Sequence, residues 1–235
     1  MRLLIDANNI YFVGYGLGFM RKAVLFALAL ILLQFGAAAY LYPQMPDRIA
    51  THWNIHGEAD GYGSKLVGLF LIPIIELVLV PFFLLLPRID PRADRAKMMD
   101  TYSWFILAFT GYMTYFNGIT VAWNLGYHFD FLRLIVPVLG LLFIGLGAII
   151  SDVEMNWFLG IRTPWTLSNG RVWADTHHLA GRLFKISGVV AFAGVFFSGW
   201  TALVLVMLPI MLSGIYVVIY SYTRYNELKK KGQLE

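Results

Sequence analysis

Residues 155–182 read MNWFLGIRTPWTLSNGRVWADTHHLAGR, a polar and aromatic stretch in a chain that is otherwise strongly apolar. Long hydrophobic runs flank it on both sides, so it reads as a loop held at a membrane surface. Pro164 biases Thr163 towards extended backbone, so the first half of the loop is not expected to be helical. Ser168 is the expected N-cap of a helix that runs from Asn169 straight into the next apolar segment. On that helix Trp173, His177 and Gly181 recur every four residues and share one face. Trp at the headgroup level, Arg162 and Arg171 beside lipid phosphates, and Gly181 at a close helix contact account for some of the pattern. Asn156, Gly160, Arg162, Thr163, Pro164, Trp165, Ser168, Trp173, His177 and Gly181 are the candidate functional residues here.

Working outward, composition sets the class. Hydrophobic residues make up 59% of the 235 residues and charged residues 14%, with mean hydropathy +0.66, against about 25% charged in a soluble domain. The chain is expected to be an all-α polytopic membrane protein. With no cysteine, disulfides, thiolate metal sites and a Cys nucleophile are excluded. The net charge of +4 fits loops facing anionic lipid better than direct nucleic-acid binding.

Apolar runs long enough to span lie at 23–42, 66–87, 102–123, 131–150, 183–197 and 202–222, a bilayer core needing about 20 such residues. Fifteen of the 18 Lys and Arg fall in the N-terminal segment, the second and fourth loops and the tail. Only Arg48, Lys65 and Arg133 fall on the other side. By the positive-inside rule both termini and the 155–182 motif face the cytoplasm. The expected organisation is an N-terminal extension (1–19), a two-helix domain (20–100) with an outer loop at 43–65, a third helix with a short outer loop (101–130), a three-helix domain (131–225) with its cytoplasmic loop at 151–182, and a cytoplasmic tail (226–235). Residues 1–19 are too short and too interrupted by Gly and Asn to span. Met20-Arg21-Lys22 looks like a natural start, the competing reading being an amphipathic arm on the membrane.

The outer loop 43–65 reads PQMPDRIATHWNIHGEADGYGSK. If extended, Ile49, Thr51, Trp53 and Ile55 face one way and Arg48, His52, Asn54 and His56 the other. His52 and His56 share a face as strand or helix, so with Glu58 or Asp60 they form a weak metal candidate. The preferred reading is an ordered loop capping the bundle, with Asp60 and Lys65 hydrogen-bonded and Gly57 in a tight turn.

Inside the membrane Glu76 lies mid-span between Pro73 and Pro81. A carboxyl there is costly and functional by default. Gln34 and Asn117 are the expected partners at that depth. The group either ties three helices together in its protonated form or serves as a proton or cation relay in a small transporter or channel. No Gly-x-Ser-x-Gly elbow, His-Glu-x-x-His pair or phosphate-binding glycine loop is present. No catalytic residue and no cofactor is therefore assigned, and the chain is not read as an enzyme.

Two stretches carry a resemblance. Asn156 … Gly160-Ile161-Arg162-Thr163-Pro164-Trp165-Thr166-Leu167-Ser168 … Trp173 … Thr176-His177 … Gly181 resembles the motif of the SdpI family of bacterial multi-pass membrane proteins. Pro46-Asp47-Arg48-Ile49 … His52-Trp53-Asn54 … Gly57-Glu58 … Asp60-Gly61-Tyr62-Gly63-Ser64-Lys65 resembles the small membrane domain of unknown function found upstream in such proteins. The resemblance implies a six-helix immunity protein of the cytoplasmic membrane that protects against a secreted, membrane-active toxin peptide. It also implies a receptor role, in which a cytoplasmic transcriptional repressor is held at the membrane. The outer-loop residues His52, Asn54, Gly57, Asp60 and Lys65 are then candidates for meeting toxin, and the 155–182 motif for meeting the repressor.

Overall fold

A computed structural model describes residues 2–6, 9–13, 16–92 and 94–234, with side chains described from Gly18 onward. Strands β1 (Arg2–Asp6) and β2 (Asn9–Val13) form an antiparallel hairpin ahead of helix α1 (Gly16–Leu41). A second hairpin, β3 (Arg48–Trp53) and β4 (Ala59–Ser64), leads into α2 (Lys65–Ile89). Then come α3 (Arg95–Asn124), α4 (Phe131–Ser151), the five-residue α5 (Pro164–Ser168), α6 (Gly170–Ala193) and α7 (Gly199–Lys230). Six of these helices, all but α5, are long and apolar enough to cross a membrane. The polytopic six-span reading therefore holds, with the two hairpins as departures from a purely helical chain among the described residues.

The spans are inside out relative to a soluble bundle. Leu32, Leu33, Val78 and Met211 are among many large apolar side chains left open to the hydrocarbon, while small and polar residues fill the contacts between helices. Helices α1, α2 and α3 form one group, joined through Ala27, Ile31, Val80 and Ile106. Helices α4, α6 and α7 form the other. Where α4 crosses α6 the backbones touch: a Cβ on Gly147 would sit 2.7 Å from the Gly181 carbonyl oxygen, and one on Gly140 would sit 2.7 Å from that of Gly188. Glycines seven apart on each of two antiparallel helices make this approach possible, the small-residue packing that membranes favour. Gly145, on the same helix, faces open space.

Helix starts follow from short polar caps. Asp94 caps α3 and Asp130 caps α4, each accepting two backbone N–H groups. In the central loop the cap assignment shifts by one residue. Asn169, in extended backbone, caps α6 by accepting from Arg171 and Val172, whereas Ser168 closes α5 and donates to the Trp165 carbonyl. The extended Thr163 expected from Pro164 is present, but it starts a turn of helix. Pro at the first helical position loses no hydrogen bond there, so α5 forms with Thr163 and Thr166 in a reciprocal capping box. The fifth membrane helix starts at Gly170 and runs unbroken through the apolar residues after Arg182, so the second half of the motif and the span are one rod, as expected.

One end of the bundle gathers Met20, Leu86, Met98, Tyr102, Val153 and Trp173 into a single buried cluster. It joins the start of α1, the end of α2, the start of α3, the loop after α4 and the start of α6. At the other end the β3–β4 hairpin rests on α3 and α4. The loops rich in Lys and Arg thus share one end, as the charge pattern requires.

Candidate functional site

The loop between α4 and α6 is a self-contained scaffold. Asn156 is fully buried and uses every hydrogen-bonding position of its amide. Its Nδ2 donates to the carbonyls of Glu154 and Leu159, both at 2.8 Å, and its Oδ1 accepts from the N–H groups of Phe158 and Leu159 at 2.8 and 2.6 Å. Gly160 follows with φ of +122°, a conformation that side chains rarely adopt. That turn aims the Ile161 N–H at His177 Nε2, 2.9 Å away. His177 Nδ1 lies 2.8 Å from the Trp173 carbonyl. Since Nε2 accepts, Nδ1 is the protonated nitrogen and the ring is neutral. With both nitrogens engaged and the side chain wholly buried, His177 is not positioned to act as a general base.

Trp173 stacks on His177 at 4.0 Å and donates from Nε1 to the Val153 carbonyl at 2.7 Å. Four residues on, Gly181 lets α4 pass at Gly147 and Ser151. The shared face of Trp173, His177 and Gly181 therefore turns towards α4 and the loop after it. Thr163 Oγ1 meets Ser221 Oγ on α7 at 3.0 Å, and Thr166 Oγ1 donates to the Ile161 carbonyl at 2.7 Å. Trp165 meets Tyr222 edge-on at 5.0 Å. Most residues singled out in the motif are thus inward-facing supports. Arg162, Pro164 and Ser168 remain exposed, with Arg162 donating to the Trp157 carbonyl at 2.6 Å.

Asn54 shapes the outer hairpin in the same way. Its Oδ1 accepts from the N–H groups of His56 and Glu58, at 2.8 and 3.1 Å, around Gly57 with φ of +76°. His52 Nδ1 and Asp60 Oδ1 lie 2.5 Å apart on the exposed side. Lys65 pairs with Asp47 at 3.1 Å and lies over the Tyr42 ring. Ile49 and Ala50 are both buried, Ile49 beside Gly68 of α2 and Ala50 against Asn124 of α3, so the hairpin does not simply alternate between an inward and an outward face, and its pairing is irregular between Ala50 and Trp53. His56 lies against the Gly199 turn rather than beside the His52–Asp60 pair. Among the described residues no three His, Asp or Glu side chains come together to hold a metal ion, so the His52/His56 candidate gains no third ligand.

A residue not singled out from the sequence holds this hairpin down. Asn124, at the end of α3, accepts from the Ala50 N–H at 2.7 Å and donates to the Ala50 carbonyl at 3.0 Å. It serves Ala50 as a neighbouring strand would. Trp53 stacks flat on Phe131 at 3.9 Å and edge-on to Trp123 at 5.8 Å. The signal was present: Ser103, Thr110, Asn117 and Asn124 recur every seven residues on an apolar helix, which is one face over successive pairs of turns.

Midway along that face lies the buried carboxyl. Gln34 Nε2 donates to Glu76 Oε2 at 2.6 Å and to Thr114 Oγ1 at 2.9 Å, while Asn117 Nδ2 donates to Gln34 Oε1 at 2.9 Å. The structure brings the three expected residues together and adds Thr114. Glu76 Oε1 and Asn117 Oδ1 are left without a donor.

Fold and polar architecture together define a polytopic helical membrane protein built around an outer hairpin and an ordered interhelical loop. Residues 152–221 match the SdpI/YfhL protein family, and residues 29–77 match a domain of unknown function, DUF1648. The immunity protein SdpI of Bacillus subtilis (strain 168) is 24% identical over 210 residues, spanning 89% of this chain and 98% of the relative. No solved structure matches the chain. The resemblance read from the two motifs is borne out by both family matches and by this relative, and with six spanning helices the likeness marks a multi-pass protein of the bacterial cytoplasmic membrane.

Proposed function

We propose that the protein is an immunity protein, protecting its cell from a secreted, membrane-active toxin peptide. The observation that carries this reading is the match to an immunity protein along nearly the whole chain, across both the hairpin and the interhelical loop. The exposed side of the hairpin, with His52, Asp60 and Tyr62, is the surface offered to the toxin. The termini and the 151–182 loop then face the cytoplasm, in line with the placement of Lys and Arg. There the exposed residues Trp157, Arg162 and Pro164 are the surface offered to a transcriptional repressor. Receptor action needs toxin to favour one of two states that differ at the cytoplasmic face. The rod of α6 and the polar face of α3, each reaching from one end of the bundle to the other, are the elements suited to carry that difference.

The test is survival of a toxin-sensitive bacterium expressing the chain and challenged with SdpC-type toxin peptide. Protection by the wild-type protein, lost on His52→Ala at unchanged membrane abundance, supports the reading. Full sensitivity at normal abundance rejects immunity to that peptide. The second reading is a small transporter, favoured by the unpartnered Oε1 of Glu76. It predicts solute or ion flux in proteoliposomes that is abolished by Glu76→Gln.

A further inference from the structure

The loops after α2 and after α4 are distant in sequence but meet at Trp157. The Asp90 carboxylate, at the end of α2, accepts from the Trp157 N–H at 2.7 Å and from the Arg92 N–H at 2.9 Å. The Arg92 guanidinium lies over the Trp157 indole, 4.3 Å from the ring centroid, and donates to the Leu167 carbonyl at 3.0 Å. The Arg162 guanidinium donates to the Trp157 carbonyl at 2.6 Å. Two guanidinium groups are therefore fixed on one residue, each by neutral partners. Among the described residues neither has a carboxylate partner. Asp90, the acid between the loops, is buried and uses one oxygen on each backbone donor. Elsewhere Lys65, Lys97, Arg133, Arg224 and Lys231 each pair with an acid.

Fixing two planar, permanently charged groups beside an aromatic ring, without an internal counter-ion, leaves the hydrogen-bonding capacity suited to a phosphate. The setting supplies the source. Trp157 is 41% exposed and Phe158 37% exposed, at the level where the membrane helices end and where Trp favours the headgroup region.

We propose that Arg92, Trp157 and Arg162 form a binding site for the phosphate of an anionic lipid headgroup. The site ties the α2–α3 loop to the motif loop through the bilayer surface. It shares Trp157 and Arg162 with the surface offered above to a repressor, and it does not rest on the immunity reading.

The experiment uses the full-length protein purified in a neutral detergent. Phosphatidylglycerol or phosphatidylcholine is added, and retained lipid is counted by native mass spectrometry. The wild-type protein is expected to retain phosphatidylglycerol in preference to phosphatidylcholine. Each basic residue at a membrane surface contributes about fivefold, so Arg92→Gln with Arg162→Gln should weaken retention roughly 25-fold. The Arg92→Lys and Arg162→Lys pair should keep much of it, which separates lost charge from a misfolded loop. Competition by inorganic phosphate, absent in the double Gln variant, supports the site and makes the phosphate group itself the ligand. Equal retention of both lipids, unchanged retention in the double Gln variant, or binding of a Glu-rich peptide without lipid preference overturns the proposal.

Discussion

Asn156→Asp changes one amide nitrogen into an oxygen and leaves the shape of the side chain unaltered. In the wild-type loop that nitrogen donates twice, to the Glu154 and Leu159 carbonyls at 2.8 Å each. The substitution points an oxygen at both carbonyls, inside a residue with no exposed surface. Leaving two buried acceptors without a donor costs about 1–3 kcal/mol each, roughly 2–6 kcal/mol in all, before any cost of burying the new charge. Protonating the new carboxyl restores one donor. Its folded-state affinity for a proton is therefore raised, and the stability it contributes is present at low pH and lost as pH rises through its titration. The assay is thermal unfolding of purified protein in detergent at pH 8 and pH 5, each compared with wild type at the same pH. A large deficit at pH 8 that shrinks at pH 5 is expected. A variant matching wild type at pH 8, or a deficit that does not respond to pH, refutes the account of Asn156 as the internal tie of the loop.

Gly160→Ala forces a side chain into a φ of +122° and pushes a methyl against His177 and Trp173. Backbone strain of this kind costs about 1–3 kcal/mol, and thermal unfolding should show it. Asn124→Ala removes both bonds to Ala50 and should expose the hairpin to hydrogen exchange about tenfold faster, with α6 unchanged. Gly147→Val places a branched side chain against Gly181 and Lys185 and should abolish stable accumulation in the membrane, read by immunoblot. Glu76→Gln keeps an acceptor for Gln34 and should stay within about 1 kcal/mol of wild type. Glu76→Ala leaves one N–H of the Gln34 amide without its acceptor and should cost about 1–3 kcal/mol; equal melting temperatures for the two variants would remove the network as a structural tie.

The six spans were legible because apolar runs of membrane length are dense local signals, and which loops share an end because Lys and Arg cluster in alternate ones. The Glu76–Gln34–Asn117 group was legible for a related reason. Few polar side chains occur at that depth, so each has few partners to choose from. The hairpin was half legible. Its glycines and rough alternation were visible, but not the pairing irregularity after Ala50 or the docking of Ala50 on Asn124, seventy-four residues away. The cap at Asn169 rather than Ser168 was missed because both are good capping residues. The choice between them was made by α5, whose own last residue is Ser168.

By itself, the sequence determined the membrane class, the number of spans and which two loops carry the polar chemistry. Hydropathy, charge placement and the two family motifs are all properties read along the chain. Tertiary structure alone decided that most of the interhelical motif faces inward, that His177 is a neutral support, and that α4 and α6 touch at paired glycines. It also decided that Arg92 and Arg162 meet at Trp157. These depend on where separate segments lie in space: a buried amide or a stacked ring is given its role by partners that sequence spacing does not name.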